Sequence, residues 1–166
     1  YGADFDETAS SYIDFAVDGA KRMRQLILDL LEYSRVGKSN EAEEFIDLNI
    51  LITEIKILYR KQIEEMNASI IVMEPLPLVN FHKSPLMQLF QNLISNALKY
   101  SRENVAPIVK ISFTEDDGYW EFKVEDNGIG IDEEYFEKIF VIFQRLHNKD
   151  EYSGTGMGLA VTKKIV

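Results

Sequence analysis

Apolar residues recur at helical spacing from Glu7 to Arg35, where Ile13, Ala16, Ala20, Met23, Ile27 and Leu30 alternate by three and four residues. That is the a/d seam of a coiled coil or helix bundle. Tyr12, Val17, Leu26 and Leu31 widen the stripe toward the broader face of a four-helix bundle. Such a helix has to bury its seam against an upstream helix, another subunit or the domain that follows. Gly37 ends it, and the polar run from Lys38 to Glu44 is the expected linker. The pattern then changes. A strand is expected from Glu44 to Leu48. Asp47 or Asn49 can cap a helix running to about Met66, with Leu51, Ile55, Leu58, Tyr59 and Ile63 on its buried side. Ala68 to Met73 reads as a strand, and Pro75 and Pro77 mark a turn. A helix beginning at Ser84, with Pro85 at its first helical position, carries Leu86, Leu89, Phe90, Leu93 and Ala97 as its apolar stripe. Ile108 to Thr114 and Tyr119 to Asp126 predict a hairpin across Asp116-Asp117-Gly118. In its second strand Trp120, Phe122 and Val124 alternate with Glu121, Lys123 and Glu125, one face buried and the other wet. This order of elements predicts a helix layer on one face of a mixed sheet.

Composition narrows the function classes. The chain has 166 residues, 46% hydrophobic and 11% aromatic, enough for one sizeable core or for a smaller core with a helical appendage. A formal net charge of -10 argues against nucleic acid as a partner, while leaving room for a local positive pocket around Lys99 or Lys149. With no cysteine, disulfides, thiolate metal sites and cysteine nucleophiles are excluded. His82 and His147 have no partner at metal-site spacing, which argues against zinc. No apolar run has the length of a membrane helix and no signal peptide is visible, so cytoplasmic material is expected, from a parent that is either soluble or membrane-anchored. Starting without methionine and stopping in a helical pattern, the chain reads as a fragment.

Three stretches carry chemistry. Opposite the apolar stripe of the Ser84 helix, Gln88, Asn92, Asn96 and Lys99 fall at helical spacing. An Asn oxygen can ligate a hard cation, and Lys99 offers a point positive charge to phosphate oxygens. A polar stripe alone usually faces solvent, so its weight comes from the two glycine-rich segments downstream. Asp126 leaves the hairpin strand into Asp126-Asn127-Gly128-Ile129-Gly130-Ile131. There a carboxylate can accept from an exocyclic amine, and glycines let the backbone approach a flat ligand. Gly154-Thr155-Gly156-Met157-Gly158 opens a second helix, whose exposed amides can cradle phosphate. It is neither a Walker A loop nor a dinucleotide fingerprint. Between the two, Phe140 and Phe143 suit core anchors, Gln144 to Ser153 suits a lid, and Arg145, His147 and Lys149 suit solvent or a phosphate neighbourhood.

Asn92 with Asn96, Lys99 and Tyr100, then Asp126-x-Gly128-x-Gly130, then Phe140 with Phe143, then Gly154-x-Gly156-x-Gly158 resemble the N, G1, F and G2 boxes of the ATP-binding domain of two-component sensor histidine kinases. Ala20 to Gly37 resembles the second helix of their dimerisation and phosphotransfer hairpin, in the style of phytochrome-like and PAS-linked kinases. The resemblance implies a two-layer α/β sandwich of the histidine-kinase, gyrase and chaperone ATPase type, an α+β fold, preceded by a helix of a dimeric four-helix bundle. Residues 1–37 would be the end of the hairpin, 38–44 the linker and 45–166 the ATP-binding domain, cut before its last strands. It implies ATP and Mg2+, with Asn96 on the metal, and Asn92 and Lys99 at the transferring phosphates. Tyr100 would pack by the nucleotide and Asp126 would receive the adenine amine. Gly128 and Gly130 would line the base pocket, and Gly154, Gly156 and Gly158 would hinge a lid anchored by Phe140 and Phe143. The implied partners are a second copy through Ile13–Leu30, an upstream sensor domain and a response regulator.

Two departures from the family pattern stand out. The acceptor histidine, normally on the first hairpin helix, has no counterpart in this stretch, so the stretch alone is not expected to autophosphorylate. The further glycine motif and terminal strands that normally follow are absent, leaving a strand edge that would be a liability in a complete protein. Alternatives are a nucleotide-binding regulator or scaffold without kinase activity, and an ATPase of the gyrase, mismatch-repair or chaperone type. The last is disfavoured because such enzymes place a carboxylate on the helix where this chain has Gln88, Asn92 and Asn96.

Overall fold

The computed structural model describes residues 7–37, 41–146 and 154–166. A long helix α1 (Glu7–Arg35) precedes β1 (Glu44–Asp47), α2 (Leu48–Leu58), α3 (Arg60–Glu65), β2 (Ser69–Val72) and β3 (Leu78–Phe81). There follow α4 (Lys83–Lys99), β4 (Ile108–Asp116), β5 (Tyr119–Asp126), two short 3-10 turns at Glu133–Tyr135 and Lys138–Phe140, and α5 (Gly158–Ile165). The strands form a mixed sheet in the order β2-β4-β5, β2 parallel and β5 antiparallel to β4, and a separate antiparallel pair β1-β3.

Helices α2 and α4 cover the three-stranded sheet. Leu48, Leu51, Ile52 and Ile55 of α2 meet Leu86, Phe90, Ile94 and Leu98 of α4 over Ile70, Val109 and Ile111 of the sheet. Phe90 is fully buried and meets Phe122 edge-on at 5.9 Å between centroids. Asp47 caps α2: its carboxylate accepts from the Asn49 side-chain Nδ2 at 2.9 Å and from the Asn49 backbone amide at 2.8 Å, and these bonds, the side-chain one foremost, hold its carboxyl below the ordinary aspartate range. The Asn49 side chain in turn exchanges two 2.9 Å hydrogen bonds with the backbone of Leu76, tying the helix start to the turn before β3.

The structure departs from the sequence reading in several places. The helix expected to run to Met66 breaks at Tyr59, whose amide still bonds to Ile55 O, so α2 and α3 are separate. β3 was not expected, since four residues after a proline are too few to show a period. α4 starts one residue earlier than Ser84 and its N-cap residue is His82. Ser84 instead donates its hydroxyl to Glu41 at 3.1 Å, and its amide is taken by the same carboxylate. The buried stripe of α4 includes Ile94 and Leu98, whereas Leu89 and Leu93 are only half-buried. In β5 Phe122 and Val124 are half-buried, but Trp120, near the far end of the hairpin, is exposed.

Candidate functional site

The polar face of α4, the loop leaving β5 and the glycine loop entering α5 meet around one cavity of about 520 Å³. Asn92, Asn96, Lys99 and Tyr100 line it from α4 and its end, Asp126 and Gly130 from the β5 exit, and Gly154, Gly156 and Gly158 from the last loop. Leu93, Val124, Ile131 and Met157 give it apolar walls. A volume of this order takes a ligand the size of a nucleotide.

The sheet register explains why Asp126 is delivered there. Val109 and Asp126 form the last residue pair of the β4–β5 ladder, beyond which the chain turns into the glycine loop. The Gly128 amide donates to Asp126 Oδ1 at 2.7 Å, and the Ile129 amide donates to Tyr100 O at 2.9 Å. Gly128, expected to line the base pocket, is buried and is not among the residues that line the cavity. A Cβ there would sit 2.4 Å from Tyr100 O and 2.6 Å from Asp126 Oδ1, so only glycine lets the loop close against α4.

On the other side, Asn92 Nδ2 donates to Gly158 O at 3.1 Å, joining α4 to the start of α5 and leaving the amide oxygen as an acceptor. Lys99 Nζ lies over the Tyr100 ring at 4.3 Å from its centroid and 3.0 Å from where a Cβ on Gly154 would sit. Gly156 has φ +79, and a Cβ on it would meet Gln144 O at 2.7 Å. Arg145 donates to Gly154 O at 2.9 Å, so its guanidinium braces the loop.

Of the two phenylalanines, only Phe140 is tucked in, half-buried with Lys163 Nζ 5.2 Å from its ring centroid. Phe143 is 47% exposed with φ 64 and does not anchor the segment to the core, a correction to its expected role. His147, Lys149 and most of the expected lid lie outside the described residues.

Helix α1 also reaches the site, which its sequence gave no sign of. Asp29 and Glu32, one turn apart, line the cavity. Thr155 donates its hydroxyl to Asp29, whose other oxygen accepts from Gln25 at 2.7 Å. Lys164 donates to Tyr33 O at 2.7 Å and lies over the Tyr33 ring. Burial, and secondarily the charge of Asp29, pushes the Glu32 carboxyl above the ordinary glutamate range. Among the described residues no three His, Cys, Asp or Glu side chains cluster to hold a metal ion by themselves. No helix of the described residues is long and apolar enough to cross a membrane.

The sequence matches the family described as Histidine kinase-, DNA gyrase B-, and HSP90-like ATPase over residues 82–166, a stretch that contains α4, both glycine loops and α5. The chain belongs to that ATPase family. The ATPase-family domain therefore supplies every cavity residue named above except Asp29 and Glu32. Along its whole length the chain is 45% identical over 166 residues to phytochrome-like protein Cph1 of Synechocystis sp. and spans 22% of that protein. Its fold is similar to the catalytic domain of histidine kinase ThkA, with TM-score 0.62 and 29% identity over 74% of this chain and 78% of that one. It is similar also to ThkA solved in complex with the response regulator protein TrrA, with TM-score 0.64 and 28% identity over 86% of this chain and 42% of that one. The chain spans about a fifth of the length of the cyanobacterial phytochromes it matches.

Proposed function

We propose that this chain is the ATP-binding catalytic portion of a sensor histidine kinase. In this reading residues 1–37 belong to the dimerisation and phosphotransfer hairpin, 38–44 link it to the ATPase-family domain, and 45–166 bind the nucleotide. The observation that carries the reading is the single cavity on which Asn92, Asn96, Lys99, Asp126 and the Gly154–Gly158 loop converge from distant parts of the chain. Similarity to the histidine kinase ThkA over 86% of this chain favours a kinase over the other ATPases of the family.

Each side chain then has a task that its chemistry permits. The Asp126 oxygen not held by the Gly128 amide accepts the exocyclic amine of adenine, with Gly130 giving the ring close approach and Tyr100 packing beside it. Lys99 sets its ammonium against the phosphates, and the amides of Gly154, Gly156 and Gly158 line their path. The donor set fits magnesium, because amide oxygens of Asn96 and Asn92 are hard ligands and phosphate oxygens complete such a shell without a carboxylate cluster. When bound, that ion neutralises charge on the phosphate oxygens. Asn92 and Lys99 hold the transferring group in place while a histidine nitrogen of the dimerisation domain attacks the terminal phosphorus and ADP leaves. The phosphoryl group then passes to an aspartate of a response regulator, the kind of partner that ThkA is bound to in its complex. Upstream, a sensor domain would drive the helical seam.

Isothermal titration with magnesium ATP tests the reading. The wild-type chain should bind, and Asp126→Ala should weaken binding by about tenfold or more, the loss of a charge-assisted hydrogen bond. Equal affinity for both proteins would remove the adenine assignment and with it the main support for the site.

A further inference from the structure

We infer that Asn127 and Arg102 are positioning residues that give the site its preference for adenine, acting through Asp126. The inference rests on the nucleotide reading above. The β4–β5 ladder ends at the pair Val109 and Asp126, so the next position would set Asn127 opposite Ile108. There the side chain takes over from the backbone. Asn127 Oδ1 accepts from the Ile108 amide at 2.8 Å, and Asn127 Nδ2 donates to Ala106 O at 3.0 Å. These two bonds let the main chain leave the sheet one residue after Asp126 without orphaning the Ile108 amide.

Arg102 closes the same loop from the other side, its Nε donating to Gly128 O at 2.8 Å. With the Ile129 amide on Tyr100 O, the segment from Tyr100 to Ile108 grips the turn by four hydrogen bonds at three successive residues, Asn127, Gly128 and Ile129. The same turn fixes the carboxylate, since Gly128 N is bonded to Asp126 Oδ1. The free oxygen of Asp126 is therefore aimed by Asn127 and Arg102, neither of which lines the cavity. A carboxylate in a fixed direction discriminates between purines. It accepts from the adenine amine and repels the guanine carbonyl oxygen at the corresponding position, whereas a carboxylate free to swing loses that difference.

A double-mutant cycle on the intact protein tests this, with titration of magnesium ATP and magnesium GTP and circular dichroism to confirm folding. Asn127→Ala should lower the ATP-to-GTP affinity ratio by about tenfold, and Asn127→Asp, which keeps the acceptor for Ile108, by less. In the Asp126→Ala background the Asn127→Ala change should move the ratio by less than about twofold, because the group it aims is gone. A general destabilisation would leave the ratio untouched. An unchanged ratio in Asn127→Ala, or an equal fall of the ratio in both backgrounds, overturns the inference while the nucleotide reading stands. Should Asn127→Ala not fold, Arg102→Ala is judged by the same criteria. If Asp126→Ala itself leaves ATP binding unchanged, the nucleotide reading fails, and this inference with it.

Discussion

A methyl group on Gly128 would run into Tyr100 O and the Asp126 carboxylate, and neither can withdraw, since each is bonded to the glycine loop itself. Gly128→Ala is predicted to push the loop off α4 and weaken ATP binding by at least about tenfold. Its overpacking penalty of about 1–3 kcal/mol falls on a surface-proximal turn and should leave the core intact. Titration beside a melting curve checks this; full affinity would mean that the loop yields without moving Asp126. At this scale much of the site was legible. Asn96, Lys99 and Asp126 stand out as candidates once the glycine segments are read beside them, and all three line the cavity. Asn127 and Arg102 were not legible, because an Asn-Gly pair reads as an ordinary turn and the bonds reach 21 and 26 residues along the chain. Phe143 misled for the opposite reason, since an aromatic residue suggests burial wherever it falls and its backbone here has a positive φ.

The elements sort by how much of their burial is local. Helix α1 is found over the span that its heptad pattern marks, and the β4–β5 hairpin turns where Asp117-Gly118 asks for it, both residues having positive φ. β3 depends on its pairing with β1, a distant stretch that a short window cannot hold. The docking of α1 against the glycine loop belongs to the same class. It carries a prediction through Glu32. Because its carboxyl is raised above the ordinary range, it is protonated in both states at acid pH and imposes no penalty there. As pH rises through the ordinary glutamate range toward the raised value, the unfolded chain ionises first and the folded state loses stability. Glu32→Gln should therefore raise the thermal midpoint at neutral pH, and the gain should vanish as pH falls below the ordinary glutamate range. A gain of the same size at every pH would show that packing and not charge is responsible.

For the molecule as a whole, the notable imbalance is a single core beside a helix whose apolar residues face outward. Tyr12 and Phe15 are 70% and 71% exposed, and Met23, Ile27, Leu30 and Leu31 continue the exposed row. A face of that extent calls for a partner. The proposed second copy predicts that Ile27→Glu, a charge in the middle of the seam, converts a dimer to a monomer in sedimentation while leaving ATP affinity unchanged. A wild-type monomer at concentrations well above those of the titrations would contradict the dimer and leave the nucleotide site untouched.

A crystal structure with a non-hydrolysable ATP analogue and magnesium will show whether three separated stretches of one chain close on one adenine nucleotide. The adenine amine should lie within hydrogen-bond distance of Asp126, and the phosphates between Lys99, Asn96 and the Gly154–Gly158 loop. A nucleotide seated elsewhere, with this cavity collapsed or filled by the protein's own side chains, would contradict that placement.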